Sequence, residues 1–366
     1  MKPPSAARGP RRWTRPLLAL TVSVATAGRV LHAQLPAPAV SAPTPLHLGG
    51  YGSLVVSAPR LGDSTRITES SAALLASGTL TPRVAYFAEF DAVSSTRENY
   101  AGRQEDRAFE VARLYAEYTI SDAARVRIGR FLTPVGQWNE SPAEPLTWTA
   151  VRPLTTYRPF AKEETGLLLA GTHEVAGRDA GYALYAGATV GRRDSNEVRF
   201  ARAVGGRVAM EVLPGFWIGA SGAAVAEVRP FEAEDDSLEA VGGTESETEN
   251  EVNDQGARGL AGADLRLQVL GMDLLAEAVA LSSSGGRPGQ RGAFAQAALP
   301  TGVPNVSLVG RAEWYASPRG DVMRMGTVGA AYRAPSRLTF KLERQLADSP
   351  SPRVARGWFA AVSLLF

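Results

Sequence analysis

The chain contains no cysteine. That excludes disulfides, thiolate metal sites and cysteine nucleophiles, together with the lipid-bearing cysteine of a bacterial lipoprotein. Lysine is nearly as scarce, occurring only as Lys2, Lys162 and Lys341, so arginine carries the basic charge. Past the first three dozen residues no apolar run approaches the ~20 residues that a transmembrane helix needs. A helical membrane protein is therefore excluded. A barrel is not, because alternating strands hide their hydrophobicity from a sliding window. No dinucleotide fingerprint, zinc motif or phosphate-cradling loop is present. A formal net charge of +2 offers no nucleic-acid footprint. The sequence thus implies no cofactor, no bound metal and no nucleic-acid partner.

What is present is alternation. Residues 1–33 read as a secretory signal, with Lys2, Arg8, Arg11, Arg12 and Arg15 ahead of a short apolar core. Cleavage is expected after Ala27 or Ala33. Residues 34–45 hold Pro36, Pro38, Pro43 and Pro45 and read as an extended linker. Strand-like runs then fill 46–366: 46–57, 65–78, 83–93, 107–120, 124–132, 164–174, 180–191, 201–213, 215–228, 258–270, 272–282, 291–299, 304–316, 322–333, 336–346 and 356–366. In 83–93, Val84, Tyr86, Ala88 and Phe90 share a face opposite Glu89 and Asp91. In 107–120, Ala112, Leu114, Ala116, Tyr118 and Ile120 oppose Arg113, Tyr115, Glu117 and Thr119. In 304–316 and 336–346 the polar faces carry Arg311, Glu313, Lys341 and Glu343.

The connections sharpen this pattern. Every second one is tight, as at Ser121-Asp122-Ala123, Leu213-Pro214-Gly215 and Gly271. Those between are longer and more polar: 94–106, 133–163, 192–200, 229–257, 283–290 and 347–355. Segments 175–179 and 317–321 fit less well, being of similar length. Short turns at one rim and long loops at the other are the pattern of an outer-membrane barrel. The expected fold is all-β: a transmembrane antiparallel barrel of about 16 strands, with 14 or 18 as alternatives.

The last run gives the same reading. Trp358, Ala360, Val362, Leu364 and Phe366 point one way, and the run ends on an aromatic residue. It resembles the C-terminal signature of Gram-negative outer-membrane barrels, whose assembly machinery reads the closing strand. That resemblance implies outer-membrane lipid, lipopolysaccharide and the barrel-assembly machinery as partners, with Trp358 and Phe366 as the closing-strand marks.

The stretch 125–140 is the most individual. Strand 124–132 runs into Pro134 and Gly136, then into a proline-rich loop too long and aromatic for a simple connection. The run Gly129-Arg130-Phe131-Leu132-Thr133-Pro134-Val135-Gly136 is similar to one in phosphate-selective and related substrate-selective porins. The resemblance implies a third external loop that folds inward and narrows the lumen. It would place Trp138, Asn139, Glu140, Arg152, Arg158, Lys162, Glu163 and Glu164 at the constriction. A lysine-rich ladder, expected of a dedicated phosphate channel, is absent. Arg113, Arg125 and Arg127 fall on adjacent strands with Glu117, Glu89 and Asp91 close by. They make either a basic lumen patch with a mild anion preference or a cross-strand charge network.

The function implied is a porin: a passive diffusion channel for small hydrophilic solutes or ions, often trimeric in this class, so a homotrimer is an expected partner state. Two rivals within the membrane stand beside it, and a secreted soluble β-protein is a third outside it. One is a barrel enzyme of the phospholipase kind, for which His173 is the histidine at hand, although Thr172 beside it points to the opposite face and no serine adjoins it. The other is a closed structural or adhesive barrel. The acidic stretch Glu232–Glu251 reads as a solvated loop, with divalent bridging to lipopolysaccharide as the sharper alternative.

Overall fold

In a computed structural model of the chain, residues 46–58, 66–99, 102–189, 200–227, 257–284, 288–348 and 356–366 are described. The expected signal, the linker and the acidic stretch Glu232–Glu251 lie outside them. Sixteen antiparallel strands close on themselves in sequence order. They are β1 (His47–Ala58), β2 (Arg66–Thr81), β3 (Val84–Asn99), β4 (Gly102–Ser121), β5 (Ala124–Leu132), β6 (Glu163–Val175), β7 (Arg178–Ala188) and β8 (Phe200–Leu213), followed by β9 (Phe216–Glu227), β10 (Arg258–Val269), β11 (Met272–Leu281), β12 (Gln290–Pro300), β13 (Val306–Ala316), β14 (Val322–Arg333), β15 (Leu338–Ala347) and β16 (Gly357–Leu365). Each expected run overlaps one of them.

The barrel closes where β1 meets β16, from Tyr51↔Leu365 to Ala58↔Trp358. Gly50 and Phe366 exchange main-chain hydrogen bonds, each 2.9 Å long, so the last residue is itself part of the seam. Gly50 is required there, since a Cβ would lie 2.6 Å from the Phe366 ring. Trp358, Leu364 and Phe366 are exposed on the outside, while Phe359 and Ser363 are buried.

Burial is inverted relative to a water-soluble domain. Leu54, Leu114, Ile128, Leu184, Leu308 and Leu342 are among many large apolar side chains left exposed on the exterior. The buried set includes Arg113, Glu117, Arg127, Arg207, Asp264, Glu277, Arg311, Glu313, Lys341 and Glu343. A closed cylinder leaves no unpaired edge, and an apolar exterior with a polar interior suits hydrocarbon outside and water inside.

Three expectations need correction. The connection 94–106 is a hairpin: the β3–β4 ladder runs unbroken in pairing out to Asn99↔Gly102. Its residues Ser94-Ser95-Thr96-Arg97-Glu98 are polar on both faces, so the apolar alternation stops while the backbone pairing continues. Ala112 is not part of the outer face. Pairing skips it between Glu89↔Arg113 and Phe90↔Val111, and it lines the interior. This bulge shifts the alternation, and Phe109 comes to be exposed, stacked 6.4 Å from Phe90. Connection 175–179 shrinks to the two-residue turn Ala176-Gly177, both at positive φ (53° and 75°), which suits the strand twist of a tight hairpin. Loop 317–321 remains as short as turn 301–305 on the other rim.

Placing a guanidinium on the lipid side at Leu342 is expected to cost ~2–4 kcal/mol of barrel stability. Denaturant titration of Leu342→Arg refolded into phospholipid vesicles measures it, and a loss below ~0.5 kcal/mol would contradict the assignment of that face to lipid.

Candidate pore constriction

The segment 133–162, between β5 and β6, enters the barrel. Two glycines of the 129–136 run shape its entry. Gly129 has φ +130°, and a Cβ there would run into the β4 backbone at Leu114 and Tyr115. Gly136 has φ +66°, and a Cβ would meet the Glu277 carboxylate. The two stalks of the loop are tied together. Thr133 N–H donates to Lys162 O at 3.0 Å, and the Thr133 hydroxyl donates to Ala161 O at 2.7 Å. The fully buried Asn139 amide donates to Thr133 O and Lys162 O at 2.8 and 3.0 Å. Arg152 closes the ring by donating to Asn139 Oδ1 and Thr156 O, both at 2.7 Å.

The loop then crosses to the far wall, where inward carboxylates receive its main chain. Gln137 N–H and Trp138 N–H donate to Glu277 Oε1 on β11 at 2.7 and 2.6 Å. Leu154 N–H, opening the short 3-10 turn Leu154–Thr156, donates to Glu313 on β13. Ala150 N–H and Val151 N–H donate to Glu343 on β15 at 2.8 and 3.0 Å. Cations do the converse. Arg311 donates to Val151 O at 2.7 Å and the Lys341 ammonium to Thr149 O at 3.1 Å. Trp148 is held between Asp273, which accepts from its indole at 2.8 Å, and the Arg333 guanidinium 3.5 Å over its ring. Beneath the entry, Phe131, Val135, Phe160, Phe200, Val225 and Leu281 belong to one apolar cluster against the wall.

Between the loop and the wall lies a cavity of about 420 Å³, bounded mainly by β1–β4, with Leu132, Glu163 and Phe359 at its margins. Of the residues expected at a constriction, Trp138, Arg152, Lys162 and Glu163 line this cavity, beside Tyr51, Glu69, Glu89, Asp91 and Glu144. The other expected residues lie elsewhere. Glu140 ion-pairs with Arg207 at 3.4 Å, and Arg207 also binds Asp264 at 2.7 Å. Burial pushes the Glu140 carboxyl up, and Arg207 pulls it partly back. Glu164 is fully buried. Arg158 lies 5.2 Å from the centre of the Tyr157 ring. In the loop, burial alone would lower Lys162, but Glu163 at 2.8 Å outweighs it and holds the ammonium above its ordinary range.

Arg113, Arg125 and Arg127 form the cross-strand network rather than an open patch. Arg113 donates to Glu89, which also accepts from the Tyr51 hydroxyl at 2.8 Å. Arg127 donates twice to Glu117, at 2.6 and 3.1 Å, and stacks 4.0 Å from the Tyr115 ring centre. Arg125 reaches the same carboxylate at 3.7 Å. Among residues that sequence reasoning did not assign to the site, Glu69 and Glu144 stand out. Glu69 lies on the alternating inward side of β2, a signal that could have found it; Glu144 lies in irregular backbone and has no such signal.

The class this geometry defines is a closed, sixteen-stranded outer-membrane-type barrel with an inward-folded loop. Comparisons with known proteins agree on the fold. No family model and no curated protein matches the sequence. Solved structures do. Salmonella typhi OmpF, in complex with daunomycin, is similar with a TM-score of 0.58 at 14% identity, over 88% of this chain and 97% of that one. An anion-selective porin from Comamonas acidovorans gives 0.53 at 15%, over 88% and 99%. OmpT of Vibrio cholerae, an outer-membrane protein, gives 0.54 at 9%, over 90% and 99%. The chain therefore has the fold of the outer-membrane porins.

Removing a wall acceptor should loosen the loop. In Glu277→Ala the Gln137 and Trp138 amides lose their partner, at a cost of ~1–3 kcal/mol. Amide hydrogen exchange at those two positions is expected to speed up by roughly tenfold or more. Unchanged protection would mean that the carboxylate does not anchor the loop.

Proposed function

We propose that this chain is a porin of the outer membrane of a Gram-negative-type bacterium, passing small hydrophilic solutes and ions down their gradients. The observation that carries this reading is the cavity of about 420 Å³ left between the inward loop and the barrel wall, with seven charged side chains on its lining. Diffusion through it needs no catalytic group. The inward loop sets the size limit, with Trp138, Arg152, Lys162 and Glu163 on the rim of the opening. Outside, lipid and lipopolysaccharide cover the apolar belt, and the assembly machinery reads the closing strand from Trp358 to Phe366. A homotrimer is part of the same proposal. One comparison structure, of Vibrio cholerae OmpT, is titled as a trimer form.

Two finer expectations are left out of the proposal. The Gly129–Gly136 run has a steric explanation in the loop's entry, independent of any phosphate ligand. The basic patch behind the expected anion preference is offset by Glu89 and Glu117. The enzyme reading gains no support from His173. It is exposed on the exterior, in a groove with Val175, Tyr182, Val208 and Ile218, while Thr172 lines the opposite side of the wall.

Single-channel recording of the purified protein in planar bilayers tests the reading. Discrete conductance steps are expected; silence would remove the channel and favour a closed barrel. Deleting residues 138–158 should raise the step size severalfold, and an unchanged step would take the loop out of the constriction.

A further inference from the structure

We propose that the passage prefers small cations to anions, and that Glu69, Asp91 and Glu144 set that sign. The inference rests on the channel reading above and adds to it the charge of the solutes that pass.

Five carboxylates, of Glu69, Glu89, Asp91, Glu144 and Glu163, face the opening with two cations, Arg152 and Lys162. Two of the five are matched at once. Glu89 is ion-paired with Arg113 from the neighbouring strand, and Glu163 with Lys162 at 2.8 Å. On the lining, Glu69, Asp91 and Glu144 then remain against Arg152; behind it the Lys341 ammonium donates to the Glu144 main-chain oxygen, and the Lys162 charge also acts on Asp91. Three negative charges less one positive leave a formal −2 on the passage. Arg152 is, moreover, committed to acceptors within the loop: Asn139 Oδ1, Thr156 Oγ1 and Thr156 O at 2.7–2.8 Å.

The three carboxylates have no ion-pair partner among the described residues. Asp91 Oδ1 and Glu144 Oε2 have no hydrogen-bond partner there either. They also stand on opposite banks. Glu69 and Asp91 belong to the adjacent wall strands β2 and β3, whereas Glu144 belongs to the loop, and its charge acts on both of theirs. Like charges held across a narrow, protein-walled opening raise the local concentration of counter-ions and oppose entry of anions. The arginines that argued for the reverse sign do not line the opening. Arg125 faces a separate small cavity with Arg207 and Glu140, and Arg113 and Arg127 are spent on Glu89 and Glu117.

The test is the reversal potential of the full-length protein in uncharged planar bilayers under a potassium chloride gradient. The wild type is expected to favour potassium over chloride by about threefold or more, the order that a net fixed charge in a narrow pore produces. The triple variant Glu69→Gln, Asp91→Asn, Glu144→Gln should keep its conductance steps and fall to a ratio near one. His173→Ala, on the exterior, should match the wild type. A wild-type ratio of one or below overturns the cation preference and leaves the channel standing. A ratio that survives in the triple variant overturns the assignment to these three residues. Absence of steps in the wild type overturns the channel reading and this inference with it.

Discussion

A stretch of irregular backbone inside a barrel must find partners for its amides, and that constraint governs the interior here. Residues 133–162 satisfy part of their main chain with turns of their own, and six further amides look to the wall. Their donors are met by carboxylates that alternate inward from every second strand of the far wall: Glu277 on β11, Glu313 on β13 and Glu343 on β15. Each of these acids would be costly as an isolated buried charge. Each is tolerable as an acceptor of two main-chain N–H groups, with Arg207, Arg311 or Lys341 near it. The loop and the wall thus satisfy each other, and neither would be stable in this form alone.

That mutual dependence explains why so much charge is buried without serving transport. Arg207–Asp264, Arg311–Glu313 and Arg127–Glu117 are nearly inaccessible pairs. Buried pairs of this kind contribute little net stability, but breaking one leaves an uncompensated charge. The first two pairs also hold the loop, Asp264 accepting from Gln137 and Arg311 donating to Val151 O, and so fix where it crosses. The apolar cluster of Phe131, Phe160, Phe200 and Leu281 adds a non-directional hold on the β5–β11 side.

The barrel was legible because its alternation is local. A period-two pattern can be read within one strand, and the exterior must be apolar wherever lipid touches it. Reading failed where that demand lapses. The Ser94–Asn99 arm of the β3–β4 hairpin pairs beyond the apolar belt, so nothing in its pattern marks it as strand. The bulge at Ala112 breaks the period by one residue, which a face count cannot register. The inward loop was half legible. Proline, glycine and aromatic content identified the loop and its inward course as an expectation, and four of its residues do line the opening. The division between lining and structural residues was not legible. It depends on contacts such as Trp138 to Glu277 and Val151 to Glu343, which join positions 139 and 192 residues apart.

The same contacts decide which residues are left free. With the loop bound to β10, β11, β13 and β15 and packed against the wall from β5 to β11, the open side is the one formed by β1–β4. A charge on the occupied side is already matched to a loop amide or to a wall partner, so it is a poor filter however many arginines that side carries. A charge on the open side faces the cavity rather than a bonded loop amide. The sign proposed for the channel therefore rests on where the loop docks, not on the composition of the lumen as a whole. Moving the anchors, more than exchanging lining residues, is the change that would redirect it.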